Sequence, residues 1–84
     1  MKKDLEDFRE WLMEERVLSP KSSKDVVSRF RRVAGLVRIL SKDDAVSTIR
    51  KLEKSESFLA ISTLVRPQLR RSVRLYFEFK GLKK

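Results

Sequence analysis

Residues 22–40 read SSKDVVSRFRRVAGLVRIL, a run in which apolar residues return every three or four positions. Because an α-helix turns by about 100° per residue, this spacing collects the apolar side chains on one helix face. Ser22 or Ser23 can cap the free backbone amides, and Asp25 places negative charge near the positive end of the helix dipole. The run therefore predicts a long amphipathic helix whose buried face comprises Val26, Val27, Phe30, Val33, Ala34, Val37 and Leu40.

The residues before this run predict a first helix from about residue 3 to 16. Leu5, Phe8 and Leu12 share one stripe, and acidic residues occupy the first turn, where the helix dipole favours negative charge. The segment ending in Ser19 and Pro20 is predicted to be a turn, because a residue that precedes proline disfavours the helical conformation.

A third helix is predicted after residue 40. Ser41 is expected to cap it, with Asp43 and Asp44 in its first turn and a buried side made of Ala45, Val46, Ile49 and Leu52. Residues 55–62 carry serines around Phe58, Leu59 and Ile61, which indicates a bend or a short helical turn.

The last helix is predicted to start near residue 63, at Leu64 or later, and to end near residue 79. This start keeps Pro67, which lacks a backbone amide, inside the first turn, and Gly81 is suited to the C-terminal cap. The predicted buried stripe consists of Val65, Leu69, Val73, Tyr76 and Phe77. Because strict alternation is absent, residues 1–84 are predicted to form a single all-α domain, a compact four-helix bundle.

The composition excludes most enzyme classes. The chain has no cysteine and no histidine, so it offers no disulfide, no thiolate or imidazole metal site and no histidine-based acid/base pair. Tyr76 lies on the predicted buried stripe and is interpreted as a packing residue rather than a nucleophile. We therefore expect no catalytic activity and no cofactor. No secretory signal or membrane span is recognisable, which predicts a cytoplasmic, nucleoid-associated location.

The positive charge of the chain is concentrated in two segments. Lys and Arg number 21 against 12 Asp and Glu, a formal net charge of +9. Residues 21–42 contain seven basic residues and one acidic residue, and residues 57–84 contain the same numbers. Each segment thus has a net charge of +6, and the excess belongs to the second and last predicted helices. A surplus of this kind favours a polyanionic partner.

Within both helices the cations recur at helical spacing. Lys24, Arg31 and Arg38 are seven residues apart and fall opposite the apolar face, while Arg66, Arg70 and Arg74 follow one another every four residues. Arginine presents a planar fork that suits phosphate oxygens and the edge of guanine. These faces predict contacts with double-stranded DNA from nine residues: Ser22, Lys24, Arg31, Arg32, Arg38, Arg66, Arg70, Arg71 and Arg74.

Three segments together resemble a known family. DFREWL at 7–12, LSPKSSKDVVSRFRRV at 18–33 and VRPQLRRSVRLYFEF at 65–79 are similar, in this order, to the N-terminal core-binding domain of tyrosine recombinases, the phage integrases and their relatives. The resemblance implies a SAM-like orthogonal four-helix bundle that forms half of a clamp around duplex DNA. It implies that Ser22 is the hydroxyl at the helix start and that Lys24, Arg31, Arg70 and Arg74 face the DNA, whereas Val26 stands where the family often has an aromatic residue.

The resemblance does not extend to catalysis. Members of the family carry a separate C-terminal catalytic domain with a histidine and a tyrosine nucleophile, and Tyr76 belongs instead to the closing helix of the N-terminal module. The implied role is non-catalytic DNA binding in DNA integration or recombination, with a catalytic domain or self-association as further partners. The alternative is a small protein–protein interaction module with an acidic partner, because the fold alone does not fix the function.

Overall fold

The computed structural model describes the backbone of residues 2–82 and the side chains of residues 4–81. It contains five helices: α1 (Lys2–Glu14), α2 (Pro20–Leu36), α3 (Ala45–Glu53), α4 (Glu56–Leu59) and α5 (Arg66–Leu82). Residues 2–82 include no strand, which confirms the all-α prediction. The single-turn helix α4 is the short helical turn predicted between residues 55 and 62.

Helix α2 begins earlier than predicted, and its N-cap is Ser19 rather than Ser22 or Ser23. The Ser22 backbone amide donates to Ser19 Oγ at 3.1 Å, and the buried Ser23 hydroxyl donates to the Pro20 carbonyl at 2.8 Å. Proline suits the first position of a helix, because it lacks the amide that would remain unpaired there and its fixed φ is already helical. The Ser-Pro pair therefore starts α2 instead of extending the preceding turn.

Helix α2 also ends earlier than predicted, at Leu36, because Val37 is extended. In the loop that follows, the Leu40 backbone amide donates to Asp43 Oδ2 at 2.7 Å, which replaces the bond that a longer helix would provide. Arg38 therefore lies beyond the helix rather than on its outer face.

The N-cap of α3 is Asp44, and the prediction of Ser41 for this role was wrong. Asp44 Oδ1 accepts from the Ser47 amide at 2.8 Å and Ser47 Oγ accepts from the Asp44 amide at 3.0 Å, a reciprocal capping box. The buried side of α3 includes Thr48 and Leu52, whereas Val46, which was predicted to be buried, is 59% exposed.

Helix α5 begins at Arg66 with Pro67 in its first turn, as predicted. It continues through Gly81 to Leu82, so the prediction of Gly81 as the C-terminal cap was wrong. Gly81 has no positive φ, and no left-handed turn ends the helix at this point. Leu75 and Phe79 join Leu69, Val73 and Tyr76 in the core, whereas Phe77 is only half-buried.

An aromatic cluster joins α1, α2 and α5 at the centre of the domain. The Phe30 and Tyr76 rings are stacked with centroids 3.9 Å apart, and Phe8 meets Tyr76 edge to face at 5.3 Å. Trp11 packs beside both Phe8 and Phe79, with centroid separations of 6.3 and 5.8 Å. Burial, together with the Asp4 carboxylate, raises the pKa of Tyr76. Tyr76 and Trp11 are packing residues, and the cluster fixes α2 against α5.

Replacing Thr48 by valine is expected to stabilise the domain by about 1 kcal/mol. A buried hydroxyl without a partner loses its hydrogen bonds to water and gains none in the folded protein. Thr48 is fully buried, and its Oγ1 has no hydrogen-bond partner among the described residues. The free energy of unfolding in urea measures the effect. Ser72→Ala is the matched control, since the Ser72 hydroxyl donates to the Leu69 carbonyl at 2.7 Å. Ser72→Ala is expected to lower the free energy of unfolding. If it raised that free energy as much as Thr48→Val does, the missing hydrogen bond of Thr48 would not explain the stabilisation.

Candidate nucleic-acid interface

The outer face of α2 is a row of exposed polar side chains. Val26, Phe30 and Val33 are buried on the inner face, and the opposite side of the helix presents Lys21, Lys24, Ser28, Arg31, Arg32 and Gly35, all of them exposed. Lys24 and Arg31 are seven residues apart on nearly the same line, which is about 10 Å along the helix axis. The sequence prediction for Lys24, Arg31 and Arg32 therefore agrees with their exposure.

The positive charge of this face is not compensated within the protein. None of its lysines and arginines forms an ion pair with a carboxylate of residues 4–81. The one acidic residue between positions 20 and 42 is Asp25, which is half-buried at the side of the helix. Because charges that lack a local partner attract counterions, this face has the electrostatic character of a polyanion-binding surface.

The loop after α2 extends the row of cations. Arg38 and Lys42 are both exposed. Lys51 Nζ holds the loop by donating to the Arg38 carbonyl at 3.0 Å and to Asp43 Oδ2 at 2.6 Å. The hydrogen bond from Lys51 and the one from the Leu40 amide lower the pKa of Asp43 to about 2. Lys51 is thus neutralised by Asp43, while the side chains of Arg38 and Lys42 remain exposed beside the end of α2.

Ser22 is not the N-cap of α2, but its hydroxyl remains exposed. Its backbone amide is already bonded to Ser19 Oγ, so it is not an open amide at the helix start. Its side chain is exposed in the first turn of α2, on the same helix as Lys21 and Lys24. Ser22 therefore offers only a hydroxyl to a ligand.

The four arginines of α5 divide into two pairs. Arg71 and Arg74 are exposed, and neither pairs with a carboxylate in the described part of the chain. Arg66 and Arg70 are half-buried instead. They lie over the Phe58 ring of α4. The distance from the guanidinium carbon to the ring centroid is 6.0 Å for Arg66 and 5.4 Å for Arg70.

Arg66 and Arg70 also bind the backbone and side chains around α4. Arg66 Nε donates to the Ile61 carbonyl at 2.9 Å, and a terminal nitrogen of the same guanidinium donates to the Leu59 carbonyl. Arg70 lies 3.8 Å from a carboxylate oxygen of Glu53. These two arginines hold α4 and the linker to α5, a role that the four-residue spacing alone did not reveal.

The exposed cations of α2 and α5 form two separate sets. Phe30 of α2 stacks on Tyr76 of α5, so the two helices meet through their apolar faces. Arg71 and Arg74 lie on the side of α5 away from Tyr76, just as Arg31 lies away from the core on α2. The α5 set is smaller, and Glu78, one turn after Arg74, pairs with Arg16 at 3.2 Å.

The described residues contain no group of three or more acidic, cysteine or histidine side chains that could hold a metal ion. None of the described helices has the length and apolar character needed to cross a membrane. A groove between α1 and α2, about 550 Å³ in volume, was not predicted from the sequence because it depends on how the two helices cross.

No protein-family model, curated protein or solved structure matches this chain.

Proposed function

We propose that this chain is a non-catalytic domain that binds duplex DNA, chiefly through the outer face of α2. One observation carries the proposal: this face and the loop after it present exposed cations with no acidic partner within residues 4–81. These cations are Lys21, Lys24, Arg31, Arg32, Arg38 and Lys42. Contacts with phosphates supply most of the affinity of such a surface.

The shape of α2 favours duplex DNA over a flexible polyanion. The helix has 17 residues and is therefore about 25 Å long, with its cations held on a rigid support. An α-helix fits the major groove of duplex DNA, and rigid arginine forks suit phosphate oxygens and the edge of guanine. Gly35 leaves the backbone uncovered near the end of this face, where it permits a close approach.

The resemblance to the core-binding domains of tyrosine recombinases extends the proposal. In that reading the domain adopts the SAM-like arrangement, forms half of a clamp on DNA and works beside a catalytic domain in recombination or integration. The exposure of Lys24, Arg31 and Arg74 supports the DNA contacts that the resemblance implies for these residues. Arg70 gives less support, because its guanidinium is engaged with Glu53 and Phe58. Arg71 and Arg74 would add a second, weaker set of phosphate contacts.

Fluorescence anisotropy of a labelled duplex of about 20 base pairs, titrated with the protein at several salt concentrations, tests the proposal. With four to six phosphate contacts we expect the logarithm of the binding constant to fall with the logarithm of salt concentration with a slope of about −4 to −5. Poly-glutamate of matched charge serves as the competitor and is expected to bind more weakly. Absence of binding at low salt, or equal binding of the two polyanions, would contradict duplex recognition.

A further inference from the structure

A groove runs between α1 and α2 and encloses about 550 Å³. Its lining comes from Leu5, Glu6 and Arg9 of α1 and from Val27, Phe30, Arg31, Ala34 and Gly35 of α2. This volume lies within the range of sites that hold ligands or the side chains of a bound partner. The groove adjoins the cationic face of α2, because Arg31 belongs to both.

The bottom of the groove is apolar. Phe30 is 1% exposed and forms part of the core, while Leu5, Val27 and Ala34 are half-buried around it. Val27, Phe30 and Ala34 are separated by three and four residues, so they form a single stripe on α2 that extends about 10 Å along the axis. Helix α1 covers this stripe only in part, and a third helix can pack between the two in the way that helix ridges fill grooves.

The rim of the groove is cationic. Arg9 and Arg31 are exposed, and neither pairs with a carboxylate of the residues that the structure describes. Glu6 is the single acidic residue of the lining, and the rest of the neighbouring α2 face adds lysines and arginines. This charge favours a partner with carboxylates beside its apolar side chains and disfavours a basic one.

One end of the groove is open to a close approach. Apart from its chain neighbours and the backbone of α2, a Cβ atom added at Gly35 would have no atom within 4 Å, and Ala34 beside it has only a methyl group. Small residues at the end of a helix-lined groove allow the backbone of a docked helix to come near. Both walls are helices, so the groove offers no strand edge for an extended peptide.

We propose that the groove between α1 and α2 binds an amphipathic helix of an acidic partner protein. Two or three turns of that helix would place apolar side chains, spaced by three and four residues, over Val27 and Ala34. Its flanking Asp or Glu residues would face Arg9 and Arg31. This binding rests on the groove and its rim, and it does not require that α2 binds DNA.

The probe is a phage-displayed library of helical peptides of about 16 residues, long enough to form a helix on binding. Its apolar stripe is varied among large hydrophobic residues, and its flanking positions are varied among acidic, basic and neutral residues. We expect panning on the full chain, without DNA, to enrich peptides with acidic flanks. Enrichment of basic or neutral flanks, or no enrichment at all, would overturn the proposal.

Two variants locate the binding site of an enriched, fluorescein-labelled peptide. Ala34→Phe fills the groove and is expected to weaken peptide binding by at least about tenfold. Ser28→Phe adds the same ring to an exposed position of α2 outside the groove lining and is expected to leave binding unchanged. Equal effects of the two variants would place the peptide elsewhere and refute the groove.

A charge reversal covers the case in which Ala34→Phe perturbs the fold. Arg9→Glu changes an exposed residue of α1 that helix packing does not need. This variant is expected to bind the acidic peptide more weakly and to bind more tightly a peptide whose flanking carboxylates are replaced by lysine. Unchanged binding of both peptides would contradict the role of the rim. Because these titrations contain no DNA, their failure and the failure of DNA binding remain separate results.

Discussion

Replacing Lys24 and Arg31 together by glutamine is expected to weaken duplex DNA binding by about 10- to 100-fold at low salt, because two phosphate contacts on one line of α2 are lost. The plot of the logarithm of affinity against the logarithm of salt concentration should become shallower by about two units, since fewer counterions are released. Both side chains are exposed, and neither is paired with a carboxylate within residues 4–81, so the fold should be retained. Anisotropy titrations measure the affinity, and circular dichroism verifies the helical content.

Arg16→Gln combined with Arg50→Gln is the matched control for this experiment. It also removes two positive charges, one from Arg16 just after α1 and one from Arg50 on α3. Arg16 pairs with Glu78 at 3.2 Å. Its net charge equals that of the test variant, so a general loss of attraction would affect both alike. We expect the control to change the affinity by less than about threefold. Equal losses in the two variants would show that net charge, and not the α2 face, determines binding.

The part of the candidate site on α2 could be predicted from the sequence, because it depends on periodicity within one helix. Apolar residues at 26, 30 and 33 fix the buried side, and the exposure of Lys24 and Arg31 follows from the 3.6-residue turn. The helix ends could not be placed in the same way. Ser-Pro is compatible both with a turn and with an N-cap followed by the first helical residue, and only the bonds that form select between them.

The roles of Arg66 and Arg70 could not be predicted, since they depend on contacts between distant elements. Their four-residue spacing with Arg74 is what an exposed basic face would show. What removes them from such a face is the position of α4, which places Phe58 under both guanidinium groups. Residues 55–62 have no periodic pattern long enough to indicate where that single turn packs. The same limit applies to the groove between α1 and α2, which arises from the crossing of two helices.

Phe58→Ala is expected to lower the free energy of unfolding by about 3–5 kcal/mol, because it removes a large side chain from the core and leaves a cavity. Phe58 is 0% exposed and is the buried residue through which α4 packs. The change also takes away the ring on which Arg66 and Arg70 lie, and so weakens the link between α4 and α5. Urea denaturation followed by the fluorescence of Trp11, the single tryptophan, measures the effect.

Leu59→Ala is the matched control, since Leu59 is the next residue of the same turn and is 50% exposed. Its truncation is expected to lower the free energy of unfolding by less than about 1 kcal/mol. If Phe58→Ala cost no more than this control, α4 would not be held to the domain through Phe58. A large difference between the variants would show that α4 packs on the domain through Phe58, the ring on which the guanidinium groups of Arg66 and Arg70 lie.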